Sequence, residues 1–64
     1  MAQLRLIGRE NVVLDSICIP LDDSKIEMAA HNMMWLSDEQ YEDLLVRKFT
    51  MGANREMLTL DIYL

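Results

Sequence analysis

Ser37-Asp38-Glu39-Gln40-Tyr41-Glu42-Asp43-Leu44-Leu45-Val46-Arg47-Lys48-Phe49 is the stretch on which the fold turns. Ser37 and Gln40 stand in the capping-box relation. The hydroxyl accepts from the third helical N–H, and the longer side chain reaches back to the N–H of the cap. Leu36 before the cap and Tyr41 after it are placed to form a hydrophobic staple. Asp38 and Glu39 fall in the first turn, with Arg47 and Lys48 near the end, an arrangement that complements the helix dipole. Tyr41, Leu44, Leu45 and Phe49 recur at helical spacing and form a stripe for burial. The pattern predicts a helix over 38–51, closed by Gly52 as the left-handed residue beyond its end.

Upstream, Ser24-Lys25-Ile26-Glu27 has the same capping-box form and predicts a helix over 25–36. Ile26, Ala29, Ala30, Met33 and Leu36 make its apolar stripe, while Met28, Met34 and Trp35 lie off it. With only Ser37 between them, the two helices should meet at a sharp corner. Downstream, residues 57–64 alternate: Leu58, Leu60, Ile62 and Leu64 point one way, Met57, Thr59, Asp61 and Tyr63 the other. This is a half-buried strand.

At the other end of the chain, residues 3–7 alternate and residues 12–19 are rich in β-branched types, so both read as strands around a turn at 8–11. Leu6 opposite Val12 and Leu4 opposite Leu14 would share one face. The alternation then slips, and a bulge near Asp15 and Ser16 would return Ile17 and Ile19 to the core side. Pro20 ends the strand, because it has no N–H to donate. The order β-β-α-α-β implies a small two-layer α+β domain over 1–64: a three-stranded sheet packed against a helical pair. The last strand could pair with either member of the hairpin.

A 64-residue chain buries only about 60% of its unfolded surface, so its core is marginal. The single cysteine, Cys18, cannot form an internal disulfide, and one Cys with one His is too few for zinc. Apolar residues make up 52% of the chain, which leaves apolar surface over for self-association or a partner. No stretch nears the ~20 apolar residues that span a bilayer. The lone thiol suits a reducing compartment, so a cytoplasmic location is expected.

Charge is segregated along the sequence. Asp22, Asp23, Glu27, Asp38, Glu39, Glu42 and Asp43 are seven of the eleven acidic residues, and Lys25 is the only base among them. Residues 22–43 carry a net charge of about −6, and the rest of the chain about +1. A net charge of −5 repels nucleic acid and anionic membranes. A DNA-reading helix-turn-helix is excluded as well, since its second helix would bring Asp38, Glu39, Glu42 and Asp43 against phosphate.

No catalytic set emerges. Glu39 with Glu42 or Asp43 has helical spacing but no substrate-binding companions, and Cys18 among isoleucines reads as a small core residue. Met28, His31 and Met34 are three residues apart, yet they fall short of a metal's ligand count. No metal and no cofactor is expected, and no enzyme activity. The expected function is protein binding. The acidic helical face, with Met34 and Trp35 as apolar anchors, would occupy a basic site on a partner protein, such as a nucleic-acid-binding site. Small size, acidity and a compact α+β fold without catalytic residues resemble the profile of phage- or plasmid-borne inhibitors of host enzymes. The alternative is an assembly subunit that self-associates, as a homodimer, through its C-terminal strand.

Overall fold

A computed structural model describes residues 1–63. The elements are β1 (Ala2–Ile7), β2 (Val13–Ile19), α1 (Asp23–Met33), α2 (Asp38–Arg47), β3 (Phe49–Met51) and β4 (Met57–Ile62). The four strands form one antiparallel sheet in the order β2-β1-β4-β3. The α+β class and the helical pair are as expected, but the sheet has four strands rather than three. The inward row expected to run on to Leu64 passes outside the described residues.

The extra strand comes from the end of the second helix. Helical spacing carries the stripe from Leu45 to Phe49, yet α2 stops at Arg47 because Lys48 is left-handed, with φ 70°. Phe49 and Thr50 favour extended backbone, and they pair with Thr59 and Leu58 of β4. Gly52 is therefore not the end of a helix. It opens the turn into β4, donating its N–H to the Glu56 carbonyl at 2.7 Å. There is no room for a side chain: a Cβ on Gly52 would fall 2.5 Å from the Met34 sulfur and 2.6 Å from a Glu56 carboxylate oxygen.

Ser37 caps α2 as the sequence predicts. Gln40 N–H donates to Ser37 Oγ at 3.2 Å, and Ser37 N–H donates to Gln40 Oε1 at 2.9 Å. Ser37→Ala should lower stability by about 1 kcal/mol, read as a shift of the thermal midpoint; an unshifted midpoint would mean that the cap contributes nothing. The first helix begins earlier than predicted. Asp22, not Ser24, is its cap: one carboxylate oxygen accepts from Ser24 N–H at 2.9 Å, from the Ser24 hydroxyl at 2.7 Å and from Lys25 N–H at 3.4 Å. It also ends at Met33, so the corner between the helices spans residues 34–37 rather than Ser37 alone. Leu36 sits in that corner and is buried there.

The β1–β2 register differs from expectation too. Leu4 faces Ile17 and Leu6 faces Asp15, while Ile7 faces Val13. The odd residue is Leu14, so the bulge lies one position before the place expected. Its effect on parity is the anticipated one: Ile17 and Ile19 return to the helix side, where Ile19 is buried. A three-residue 3-10 turn at Arg9–Asn11 connects the strands, with Glu10 and Asn11 left-handed.

Because β2 and β3 lie at opposite edges, the helices must carry the chain across the sheet, roughly 14 Å at three strand spacings. Thus α1 packs over β1 and β2, and α2 over β3 and β4. Ala2, Leu4, Leu58 and Leu60 from the sheet meet Ile26, Ala30 and Leu44 from the helices. The C-terminal strand is interior. It has β1 along its whole length on one side and β3 against Met57–Thr59 on the other, and Leu60 N–H donates to the Lys48 carbonyl. A copy of the chain that paired with the whole of β4 would have to displace β3. The free edge of full length is β2.

Candidate protein-docking surface

On α2, steps of 100° per residue place Asp38, Glu42, Glu39 and Asp43 on one arc of about 140°, with Leu44 opposite its middle and Tyr41 and Leu45 beyond its Asp38 end. Asp38, Glu39 and Glu42 are exposed and Asp43 is half-buried. Val46 lies within the same arc, one turn beyond Glu42, and is 71% exposed. Its apolar side chain among carboxylates escaped the sequence reading, which followed only the buried stripe. Its spacing from Glu39 and Glu42 was the available signal.

Tyr41 ties α2 to the start of α1. The tyrosine hydroxyl donates to the main-chain carbonyl of Asp23 at 3.0 Å. Its pKa is pushed above the ordinary tyrosine value, first by desolvation and then by the Glu27 and Asp23 carboxylates. Those two carboxylates therefore lie near the Tyr41 hydroxyl, on the flank of α2 beyond Asp38 and outside the arc that Glu39, Glu42 and Asp43 share. Asp22 differs from the rest. The Ser24 hydroxyl, and then the backbone N–H groups of Lys25 and Ser24, hold its carboxyl below the usual range. It is an anion at neutral pH but is already engaged as a cap.

Almost nothing neutralises the cluster from within. Among the described residues the ion pairs are Arg5 with Asp61, on the helix-free face of the sheet, and Glu27 with His31 at 4.0 Å. No lysine or arginine stands within 4.0 Å of any of the seven carboxylates. Arg47, at the end of α2, lies instead over the Phe49 ring, 4.8 Å from its centroid.

The two expected anchors separate. Trp35 is 77% exposed, three positions before Asp38, and remains available. Met34 is half-buried, with its sulfur against Gly52, and is a packing residue. Met28 is exposed, but on the other flank of α1, where a groove runs between that helix and β2. Cys18 is exposed on β2 rather than buried among isoleucines, because β2 is an edge and Cys18 points to the uncovered face of the sheet. Among the described residues no three His, Cys, Asp or Glu side chains are grouped to hold a metal, and no helix is long and apolar enough to cross a membrane.

Comparison with protein-family models, curated proteins and solved structures returns no match. The residues and their geometry carry the functional argument.

Proposed function

We propose that this protein is a non-enzymatic binding module that lays its acidic helical face on a basic site of a partner protein and blocks or modulates that site. The supporting observation is the arc of carboxylates at Asp38, Glu39, Glu42 and Asp43, none with a lysine or arginine within 4.0 Å, with Asp23 and Glu27 of the neighbouring helix near Tyr41 at its flank. Held on two helices that pack on one sheet, these charges keep their spacing without a partner, which limits the ordering cost of binding. Val46 and Trp35 supply apolar contact on or beside the face. Surfaces that bind phosphates are the natural class of partner, since they present cations at regular spacing and are matched by rows of carboxylates.

The test is capture of partners on the immobilised protein at two salt concentrations. Going from about 0.1 M to about 1 M salt shortens the screening length from about 10 Å to about 3 Å. Capture of the specific partner should fall at least about tenfold, or roughly 1.4 kcal/mol. The double variant Glu39→Lys/Glu42→Lys should lose that partner already at low salt. A partner held equally well by the variant, and at both salt concentrations, removes the electrostatic docking reading.

A further inference from the structure

The free edge at β2 has a backbone pattern that can be worked out from the other side of the sheet. Met1 and Tyr63 exchange both of their backbone hydrogen bonds, at 2.8 and 2.7 Å. In an antiparallel ladder such pairs alternate. Ala2, Leu4 and Leu6 therefore turn their backbone groups to β2, where Ile19, Ile17 and Asp15 answer. Ser16 and Cys18 then point their N–H and C=O groups outward. The Ser16 N–H is covered by the carboxylate of Asp15 at 2.8 Å. No such side chain covers the Cys18 N–H among the described residues. The edge also shows apolar side chains, with Leu14 exposed and Ile17 42% exposed although it lies on the helix side. The strand contains no proline or lysine; the bulge at Leu14 and the Asp15 carboxylate blunt its first half, and the stretch from Ile17 to Ile19 stays open.

We propose that β2 pairs with β2 of a second copy about a two-fold axis through Ile17, joining the sheets into one eight-stranded antiparallel sheet. In that register Ser16 faces Cys18 of the second copy, and the Cys18 N–H of each copy meets the Ser16 carbonyl of the other, while the Ser16 N–H stays with Asp15. The two Ile17 side chains meet at the axis on the helix side, beneath the groove between β2 and α1.

Charge selects a second copy as the occupant. Asp15 and Lys25 both line that groove, together with Met28 and Asn32. The groove thus offers one charge of each sign, and a two-fold axis sets Asp15 of one copy toward Lys25 of the other. Most of the acids that would repel a copy are elsewhere: α2 lies over the opposite half of the sheet, Asp23 and Glu27 lie near Tyr41, and Asp22, near Lys25, is engaged as the cap of α1. A basic ligand would find the acidic face more attractive than this edge, whereas a copy of this acidic chain is repelled least here. The interface is small, so the complex is weak, of the order expected for contacts below standard size.

Sedimentation tests the pairing. The chain should run as a dimer at about 100 µM and dissociate on dilution toward about 1 µM. Ile17→Lys puts two cations at the axis and should raise the dissociation constant at least about tenfold. Because Ile17 is part-exposed, the variant should keep its circular dichroism spectrum. Hydrogen exchange of the Cys18 amide should be slow in the dimer and fast in the variant. A second measurement stands apart from that substitution. Asp15→Lys and Lys25→Asp should each weaken the homodimer, while an equimolar mixture of the two should associate, since opposite charges then face each other on both sides of the axis. A wild-type chain that is monomeric at about 100 µM, a dimer unchanged by Ile17→Lys, or one lost on Glu39→Lys/Glu42→Lys instead overturns the proposal. The last variant lies on α2, so failure of acidic docking and failure of edge pairing are read separately.

Discussion

Leu44→Ala should lower stability by about 2–5 kcal/mol, the range for a leucine truncated in a core that cannot fully collapse around the void. Leu44 is 0% exposed and is the one wholly buried residue of α2. It is therefore the principal apolar tie between that helix and the sheet, with Tyr41 and Leu45 half-buried beside it. A chain of 64 residues has a total stability of only about 3–10 kcal/mol. The loss should thus remove much of the folded baseline in a urea titration. Leu45→Ala should cost less, and Val46→Ala about 0.5 kcal/mol or less, because Val46 packs on nothing. An equal loss at Leu44 and Leu45 would mean that the helix is rotated about its axis from the orientation described.

The second large effect concerns β4. Leu60→Asp places a carboxylate at a site only 1% exposed, between Leu4 on the neighbouring strand and the helices above. An ionised carboxylate there has no partner, and its burial costs several kcal/mol, as much as the whole fold supplies. The variant should be unfolded at neutral pH. In the folded state burial would raise the carboxyl pKa above its unfolded value, so stability is greatest below the unfolded pKa and is lost as pH rises through the folded one. Some native signal should therefore return on mild acidification. Ile62→Asp lies on the same face two residues on, but Ile62 is 42% exposed, and that variant should stay folded at pH 7. Chemical-shift spectra of the two across pH settle the matter: an unfolded Ile62→Asp would place the edge of the core further out than Ile62.

What the sequence made legible was local. The Ser37–Gln40 box, the alternation from Met57 and the breaks at Gly8 and Pro20 each specify their structure within a few residues. The fourth strand was hidden because Phe49 continues the helical spacing of Tyr41 and Leu45. The helix ends at a left-handed Lys48, for which the sequence gives no sign, and Thr50 gains a partner in Leu58 only through tertiary pairing. The first helix shows a different limit. Ser24 and Asp22 are both acceptable caps, and Asp22 takes the role by accepting three hydrogen bonds on one oxygen.

The candidate site divides in the same way. Composition alone located the carboxylates, and helical spacing put the four of α2 on one arc. That Asp23 and Glu27 come near α2 depends on where Tyr41 packs, which no local pattern encodes. The exposure of Cys18 and the half-burial of Met34 are tertiary outcomes. Exposure of a strand residue depends on the strand's rank in the sheet, and that of a corner residue on the loop against it.

The two middle strands of the sheet are the first and the last along the chain. Arg5 and Asp61, bonded to each other across that central ladder, are 56 positions apart in sequence. Closing such a loop costs roughly 3–4 kcal/mol of chain entropy before any contact is gained, and folds dominated by distant pairings form slowly for that reason. During synthesis β1 has only the hairpin with β2 to hold it, and the centre of the molecule stays unsealed until residues 57–62 have left the ribosome.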